Sequence, residues 1–321
     1  MKAVRLSGIE QLSVADLPVP VLVPGQVHLR VLAAGICGSD LHNYRTGKWF
    51  AHLPVTPGHE LMGEVIACAP DVSDFRPGDR VVADSRVWCG TCPACARQHY
   101  NLCEKLGFVG EVCDGGFAEQ TLLPARGLMR VADDLPPQIA VLSEPLGVAL
   151  RVVNQLQLPP GARVRVAGGG TIGGLVALLL HEVAQCEVQL VEPNVERYQR
   201  LANLMPLQHA GPFDFAVEAT GINAVLSQLV EDISSGGRIA LVGLFHHSAD
   251  FDMNRLVERE IILVGCSVFR DEQRQALALL PQLADKLATL VAPAICLDDV
   301  PDIYPHLIAG RSPWLKTVIV P

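Results

Sequence analysis

The sequence lacks several features that are typical of nucleic-acid-binding, membrane-spanning or repetitive proteins. It has no excess of positive charge, because 25 Lys and Arg stand against 34 Asp and Glu, for a net charge of −9. This balance argues against nucleic acid or an anionic membrane as the main partner. The most apolar helical stretch, Gly174 to Leu180, ends at His181 and is too short to cross a bilayer. Internal repeats, low-complexity tracts and Ser-rich linkers are also missing.

The first residues do not read as a secretory leader. Met1 to Arg5 lead into an alternating pattern, whereas a signal peptide places an apolar run after its positive residues. We therefore expect a soluble cytoplasmic protein. The 321 residues, 50% of them hydrophobic, suffice for two domains with a sizeable buried core.

The first part of the chain, up to about residue 145, contains short strand-like segments separated by Gly and Pro turns. The clearest segments cover residues 27–31, 63–67 and 80–83. Short strands with frequent turns are typical of a barrel or a sandwich.

The second part has a different pattern of predicted secondary structure, in which strands alternate with helices. A strand over 163–167 leads through glycines into an apolar helix over 172–184, and a further strand covers 188–191. This alternation predicts a parallel sheet with helices on both faces. A helix over 272–287 and a closing strand over 315–320 follow. Three more strands are predicted at 213–219, 238–242 and 261–264.

Four of the ten cysteines are clustered with the spacing C-x2-C-x2-C-x7-C; they are Cys89, Cys92, Cys95 and Cys103. In a chain without a secretory leader, such clustering favours metal binding over disulfides. Four thiolates bind zinc tetrahedrally and leave no open position, so the cluster predicts a structural zinc site. The alternative is a group of free or redox-active thiols.

A second constellation mixes donor types: Cys37 and His59, with a carboxylate from Glu60 or Glu144. Three mixed ligands leave a fourth position open, which is typical of a catalytic zinc site. Each residue also has a simpler interpretation, since a lone Cys is often a small buried group and Glu144-Pro145 can begin a helix. The residues alone leave open which carboxylate binds.

A glycine-rich turn follows the strand over 163–167 and opens a helix. The pattern G-x-G-x-x-G permits a tight turn and close approach of the backbone to a pyrophosphate. Glu192, at the end of the next strand, can accept hydrogen bonds from ribose hydroxyls and would repel a 2′-phosphate. We therefore expect NAD rather than NADP, although Arg197 could reach a phosphate. The predicted cofactor-binding residues are Gly168, Gly170, Thr171, Ile172, Gly173, Glu192 and Arg197.

Taken together, these motifs resemble the zinc-dependent medium-chain alcohol and polyol dehydrogenases, in particular the sorbitol, idonate and threonine dehydrogenase branch. The resemblance covers almost the whole chain and is carried by the four-cysteine loop and by three further motifs: Gly35–Asp40, Gly58–Gly63 and Glu144–Leu146. It implies an α/β chain with a GroES-like β-barrel catalytic domain holding both zinc sites (1–146), a doubly wound Rossmann domain (147–268) and a C-terminal return to the catalytic domain (269–321).

The resemblance also implies roles for single residues. Cys37, His59 and Glu144 would lie at the catalytic zinc, and Glu60 would be a direct or exchanging ligand. Asp40 would orient His59. Ser39 and His42 would pass the alcohol proton toward solvent, although His42 could also be a packed neutral histidine. Tyr44, Phe108 and Arg270 fall where this branch places substrate contacts.

The chain departs from the family pattern in its third βα unit. Only twenty residues separate Glu192 from Phe213, where the family usually has a helix, a strand and often another helix. We expect a reduced unit, with at most a stub of a strand over 205–210. Arg151 and Gln120 also differ from the residues common at those positions, which cautions against adopting a particular substrate.

The predicted function is transfer of a hydride from a secondary alcohol to NAD, with a sugar alcohol, sugar acid or related polyol as substrate. Within enzymes, the alternative is a threonine or simple alcohol dehydrogenase. From another class, the chain could be a non-catalytic, zinc-stabilised dinucleotide-binding protein. The resemblance implies a homodimer or homotetramer, and the strand over 261–265 could pair across a two-fold axis.

Overall fold

A computed structural model describes residues 1–208, 211–248 and 252–321, which divide into two compact units. Unit 1 comprises Met1–Glu144 and Arg274–Pro321, and unit 2 comprises Pro145–Gln273. The chain thus leaves unit 1 once and returns to it. The boundaries at 146 and 268 that the sequence predicts separate a catalytic domain, a dinucleotide-binding domain and a returning segment. This division by function stays a prediction.

The strands of the described residues are short, apart from two long ones at the centre of unit 1. Their bounds are β1 Lys2–Gly8, β2 Gln11–Asp16, β3 Gln26–Ile36, β4 Glu60–Cys68, β5 Arg80–Ala83, β6 Arg86–Val87, β7 Gly107–Phe108, β8 Gln120–Pro124, β9 Leu128–Arg130, β10 Arg163–Ala167, β11 Glu187–Val191, β12 Phe215–Glu218, β13 Arg238–Leu241, β14 Ile262–Gly265 and β15 Thr317–Ile319.

The α-helices concentrate in the second half of the chain. Their bounds are α1 Gly38–Thr46, α2 Pro93–Ala96, α3 Pro137–Ala140, α4 Ser143–Leu156, α5 Thr171–Glu182, α6 Val195–Ala202, α7 Asn223–Asp232, α8 Asn254–Glu258, α9 Glu272–Ala288 and α10 Val300–Ile308.

Unit 1 is built on an antiparallel sheet with the order β15-β3-β4-β5-β9, in which β8 also pairs with β3. The central strand β3 shows the alternation that a half-buried strand requires: Val27, Leu29 and Val31 are buried, whereas Arg30 between them is exposed. The buried side chains of these strands meet Phe117 and Tyr304 in one apolar core. The C-terminal strand β15 completes this sheet at the edge of β3.

Unit 2 is built on a parallel sheet with the order β11-β10-β12-β13-β14. Residues Leu175–Leu180 of helix α5 are all buried, which explains why this helix is almost entirely apolar. The predicted α/β class, with an antiparallel sheet in unit 1 and a Rossmann-type parallel sheet in unit 2, is confirmed.

The predicted reduction of the third βα unit is also confirmed. After β11 and α6, the next parallel pairing in the described residues is a single bridge from Leu207 to Val188. The last two residues of the predicted stub, 209 and 210, lie outside the described residues. Within those residues the sheet therefore has five strands.

One apolar helical stretch was missed by the sequence analysis. Residues Pro137–Leu156 are long and apolar enough to span a bilayer by length and composition alone. However, 78% of the most apolar window in this stretch is buried inside the protein, as in the core helix of a soluble fold.

The start of helix α9 is held by Glu272, whose side chain is buried within unit 2. One carboxylate oxygen accepts hydrogen bonds from the backbone N–H of Arg270 (2.6 Å) and of Asp271 (3.1 Å). The other accepts from the Arg151 guanidinium at 3.2 Å and from the Asn154 amide at 3.4 Å. Burial alone would raise the pKa of Glu272, but these donors outweigh it and the pKa is lowered.

A Glu272→Gln substitution should therefore destabilise the protein at neutral pH. Because the folded pKa lies below the unfolded value of about 4.3, the charged form stabilises the fold above that pH. This contribution is lost as the pH falls through the folded pKa. We expect a free energy of unfolding lower by about 1–3 kcal/mol at pH 7. The difference from wild type should shrink in denaturant titrations at progressively lower pH.

The control is Glu196→Gln, at an exposed position in α6, which should leave stability nearly unchanged. A Glu272→Gln effect of the same size at every pH would show that lost packing, rather than lost charge, is responsible.

Candidate metal and cofactor sites

Three predicted ligands come together at the junction of β3 and β4. Cys37 follows the last residue of β3, and His59 directly precedes Glu60, the first residue of β4. The antiparallel register pairs Gly35 with Glu60, so both strand ends lie side by side. Their ligand atoms, one sulfur, one imidazole nitrogen and one carboxylate oxygen, all lie within 4.8 Å of one another. This is the donor set of an open zinc site.

Two residues of helix α1 lie beside this trio. Asp40 accepts a hydrogen bond from the backbone N–H of Cys37 at 2.8 Å, and its other oxygen lies 3.5 Å from Nδ1 of His59. The Ser39 hydroxyl lies 3.5 Å from Nε2 of the same histidine. Burial alone would lower the pKa of His59, yet Asp40 and Cys37 raise it well above its ordinary value. The site therefore has a negative potential that a cation would neutralise.

The second predicted carboxylate, Glu144, lies outside this 4.8 Å set. Its Oε1 accepts a hydrogen bond from the Ser85 hydroxyl at 2.7 Å, and burial raises its pKa to about 7. Of the two carboxylates that the sequence left open, Glu60 lies with Cys37 and His59.

Three buried residues near this site were missed by the sequence analysis: Ser85, Glu111 and Lys316. Glu111 accepts a hydrogen bond from the Asn43 amide at 3.0 Å, and burial raises its pKa to about 7. Lys316 donates to Oε1 of Glu60 at 2.6 Å. No local pattern identifies them, because each is isolated in sequence from the motifs it joins.

The four clustered cysteines converge on one point. Three of their sulfur–sulfur distances are 3.5, 3.9 and 4.0 Å, whereas a tetrahedron with Zn–S bonds of 2.3 Å has edges of about 3.8 Å. Backbone N–H groups of Thr91 and Cys92 point at the sulfur of Cys89 and lower its pKa to about 6. The cluster fits a tetrathiolate metal site.

The glycine turn of unit 2 has the backbone that a dinucleotide site requires. Gly168 has φ of +95°, and a Cβ on Gly173 would lie 1.8 Å from the carbonyl oxygen of Gly168. In contrast, a Cβ on Gly170 would meet no atom within 4 Å. Gly170 caps helix α5, which begins at Thr171 and Ile172. The open space at a helix N-terminus fits a pyrophosphate.

Glu192 is tied to the same turn. Its Oε2 accepts a hydrogen bond from the backbone N–H of Gly169 at 2.6 Å. Its Oε1 accepts from the backbone N–H of Asn194 at 2.7 Å and lies 3.3 Å from the Arg197 guanidinium. Glu192, directly after β11, and Arg197, in α6, thus form an ion pair beside the turn.

The other predicted residues are less closely grouped. The His42 ring is buried and packs on Trp49, with centroids 4.4 Å apart. Tyr44 packs edge-on against Tyr304, and the Phe108 ring lies 6.4 Å from that of His59. Arg270 belongs to unit 2, where its side chain is 43% exposed. Their roles stay predictions.

Comparison with known proteins identifies the family. Residues 23–133 match the Alcohol dehydrogenase GroES-like domain family, and residues 174–282 match the Zinc-binding dehydrogenase family. A D-altritol 5-dehydrogenase from Agrobacterium fabrum is 33% identical, over 89% of this chain and 90% of the relative. The chain belongs to the zinc-dependent medium-chain dehydrogenases. This dehydrogenase is also 30% identical to an L-threonine 3-dehydrogenase from Anaeromyxobacter dehalogenans, over 92% of each chain.

A solved structure agrees with this assignment over the whole length. The zinc-binding dehydrogenase from Sinorhizobium meliloti 1021, bound to NADP, superposes with a TM-score of 0.92 and 28% identity, covering 100% of this dehydrogenase and 99% of the neighbour. The predicted family and enzyme class, an oxidoreductase, are confirmed.

Proposed function

We propose that this dehydrogenase oxidises a secondary alcohol of a small polyol or hydroxy acid, with NAD as hydride acceptor, in the cytoplasm. The observation that carries the proposal is the grouping of Cys37, His59 and Glu60 within 4.8 Å. A trio of this composition leaves a position for substrate, and a purely structural site would not need one.

Two zinc ions and one dinucleotide per chain fit the residues described. Cys37, His59 and Glu60 would hold one ion, the four clustered cysteines would hold the other, and the turn at Gly168–Gly173 would hold the pyrophosphate. When bound, zinc supplies a Lewis acid and NAD supplies the acceptor of the hydride.

The side chains around the trio would orient it and move the proton. Asp40 fixes the backbone of Cys37 and faces His59, so both donors would keep their direction through the reaction. The Ser39 hydroxyl is the first candidate to take the proton of the alcohol. His42 is the proposed next carrier, and its packing on Trp49 holds the ring in place.

The substrate class is supported by the names of the relatives, and four residues are candidates to contact the substrate. Relatives of this chain are named for a sugar alcohol, altritol, and for threonine. We propose that Phe108 supplies an apolar contact, and that Tyr44 and Arg270 hold hydroxyl or carboxylate groups. Glu111 is a further candidate, because its buried carboxylate can accept a hydrogen bond from a hydroxyl.

The proposal is tested by following nicotinamide reduction with zinc-loaded enzyme and a panel of polyols, aldonates, threonine and short alcohols. Turnover that is best with polyols or aldonates supports it. Preference for threonine or short alcohols would favour the alternative enzyme. If no class is turned over while the dinucleotide still binds, a non-catalytic binding protein is favoured.

The preference for NAD rests on Glu192. We expect Glu192→Ala to raise the KM for NAD by about tenfold, because about 1.4 kcal/mol of hydrogen bonding to the ribose would be lost. Removing the carboxylate also frees Arg197 from its ion pair, so use of NADP should improve. Steady-state kinetics with both cofactors measure the ratio of kcat/KM.

The matched control for this experiment is Glu196→Ala, one turn along at an exposed position. It should leave both KM values near wild type. A wild-type enzyme that prefers NADP would contradict the assignment, and the neighbour solved with NADP makes that measurement necessary.

We propose that the enzyme is a homodimer or homotetramer. Strand β14 forms one edge of the described sheet, and Ile262 on it is 44% exposed. An unpaired edge with apolar side chains favours pairing with another strand, here a second copy across a two-fold axis. The molar mass in solution, measured by light scattering, tests this.

A further inference from the structure

Lys316 is a buried cation next to the mixed-ligand site. Its side chain is 1% exposed, and it lies immediately before strand β15. Its ammonium group donates to Oε1 of Glu60 at 2.6 Å and to the carbonyl oxygen of Ile36 at 3.0 Å. A lysine that is removed from water needs a fixed anionic partner, because an unpaired buried charge is strongly destabilising. Lys316 and Glu60 therefore determine each other's position.

The two oxygens of Glu60 have different surroundings. Oε1 accepts the hydrogen bond from Lys316, whereas Oε2 is buried and has no hydrogen-bond partner in the described part of the protein. A buried carboxylate oxygen without a partner requires an explanation, and a cation ligand is one. Oε2 fits against Gly35 because glycine has no side chain: a Cβ on residue 35 would lie 2.2 Å from this oxygen.

The buried carboxylate of Glu60 also calls for a fixed cation. Its side chain is 0% exposed, so water does not compensate its charge. The ammonium group of Lys316, 2.6 Å from Oε1, supplies the positive charge.

We propose that Lys316 is a positioning residue of the metal site: it holds one oxygen of Glu60, presents the other to the ion, and balances the charge of that carboxylate. The inference rests on the proposed metal site but not on the identity of the alcohol. Glu144, which lies outside the group of Cys37, His59 and Glu60, is held instead by the Ser85 hydroxyl.

The test compares Lys316→Met, which keeps the length but removes the charge, with Lys316→Arg, which keeps a cation. Zinc per chain is measured by elemental analysis after dialysis against a graded series of chelator concentrations. Wild type should retain two ions, and the structural site provides an internal reference. Lys316→Met should bind the second ion about 10–100-fold more weakly, and Lys316→Arg should restore part of the difference.

Two further measurements separate positioning from general stability. Cobalt placed in the mixed-ligand site gives an absorption spectrum that reports its ligands, and Lys316→Met should alter that spectrum. The double variant Glu60→Gln/Lys316→Met leaves no unpaired buried charge, so it should fold even if Lys316→Met does not, and it should retain one zinc. Lys48→Met, at an exposed lysine of unit 1, is the control.

Retention of two ions with wild-type chelator resistance and an unchanged cobalt spectrum, in a folded Lys316→Met or in the double variant, overturns the inference. The outcome is independent of turnover. If wild type oxidises no alcohol but Lys316→Met loses the second ion, the proposed function fails and the role of Lys316 stands. If wild type oxidises an alcohol and Lys316→Met keeps the second ion, the proposed function stands and the role of Lys316 fails.

Discussion

Cys37→Ser should reduce turnover by at least about a thousandfold and lower the zinc content from two ions per chain to one. A serine hydroxyl is not ionised near neutral pH, so the site would lose its thiolate ligand. Lewis-acid stabilisation is worth several kcal/mol, and each 1.4 kcal/mol is a factor of ten in rate. Initial rates with the best substrate and elemental analysis of the same preparation measure both effects.

The matched control is Cys186→Ser, a buried cysteine of unit 2 that belongs to neither metal group. It should keep two zinc ions and near wild-type activity. If Cys37→Ser retains both the second ion and the activity, the mixed-ligand site is not the catalytic centre. If it loses the ion but keeps its rate, zinc is not part of the reaction.

Cys95→Ser should have the largest effect on stability. Around Cys92, Cys95 and Cys103 the buried apolar material is small, consisting mainly of the sulfurs themselves, Ala94 and a few flanking rings. The metal therefore replaces an apolar core in this loop, and its binding energy contributes directly to folding. We expect the melting temperature to fall by on the order of 10 °C, given about 2–4 °C per kcal/mol for a domain of this size.

Thermal unfolding and limited proteolysis measure this effect, and new cleavage should appear between residues 88 and 106. The variant should keep the ion at Cys37, so zinc again falls from two to one per chain. Cys68→Ser is the control, because a serine there can still donate to the Phe75 carbonyl oxygen that Cys68 contacts at 3.3 Å. An unchanged melting temperature with one ion fewer would mean that the cluster does not support the fold.

The parts predicted well from sequence are those whose physics is local. The alternation over 27–31 predicts part of β3, which extends over Gln26–Ile36, and the apolar run predicts nearly all of α5. Both patterns reflect which side chains face the core. The four-cysteine loop is predictable because its ligands lie within one short segment. The reduced third βα unit followed from chain length alone, since twenty residues cannot supply the missing elements.

The parts that were missed depend on pairings between distant segments. Lys316 contacts Glu60 across 256 residues of sequence, and Ser85 contacts Glu144 across 59. Neither lysine nor serine stands out in its own neighbourhood.

By itself, the sequence determined the two-part α/β architecture, the family and the set of candidate ligands, because strand and helix periodicity, glycine turns and cysteine spacing act over a few residues. Which carboxylate joins Cys37 and His59, and which cation accompanies it, depends on contacts that form only when the chain folds. The reason is that β15 pairs with β3, which brings the C-terminal lysine against Glu60, while Ser85 holds Glu144. Such long-range pairing depends on the burial of the whole core, and it cannot be predicted from a local sequence pattern.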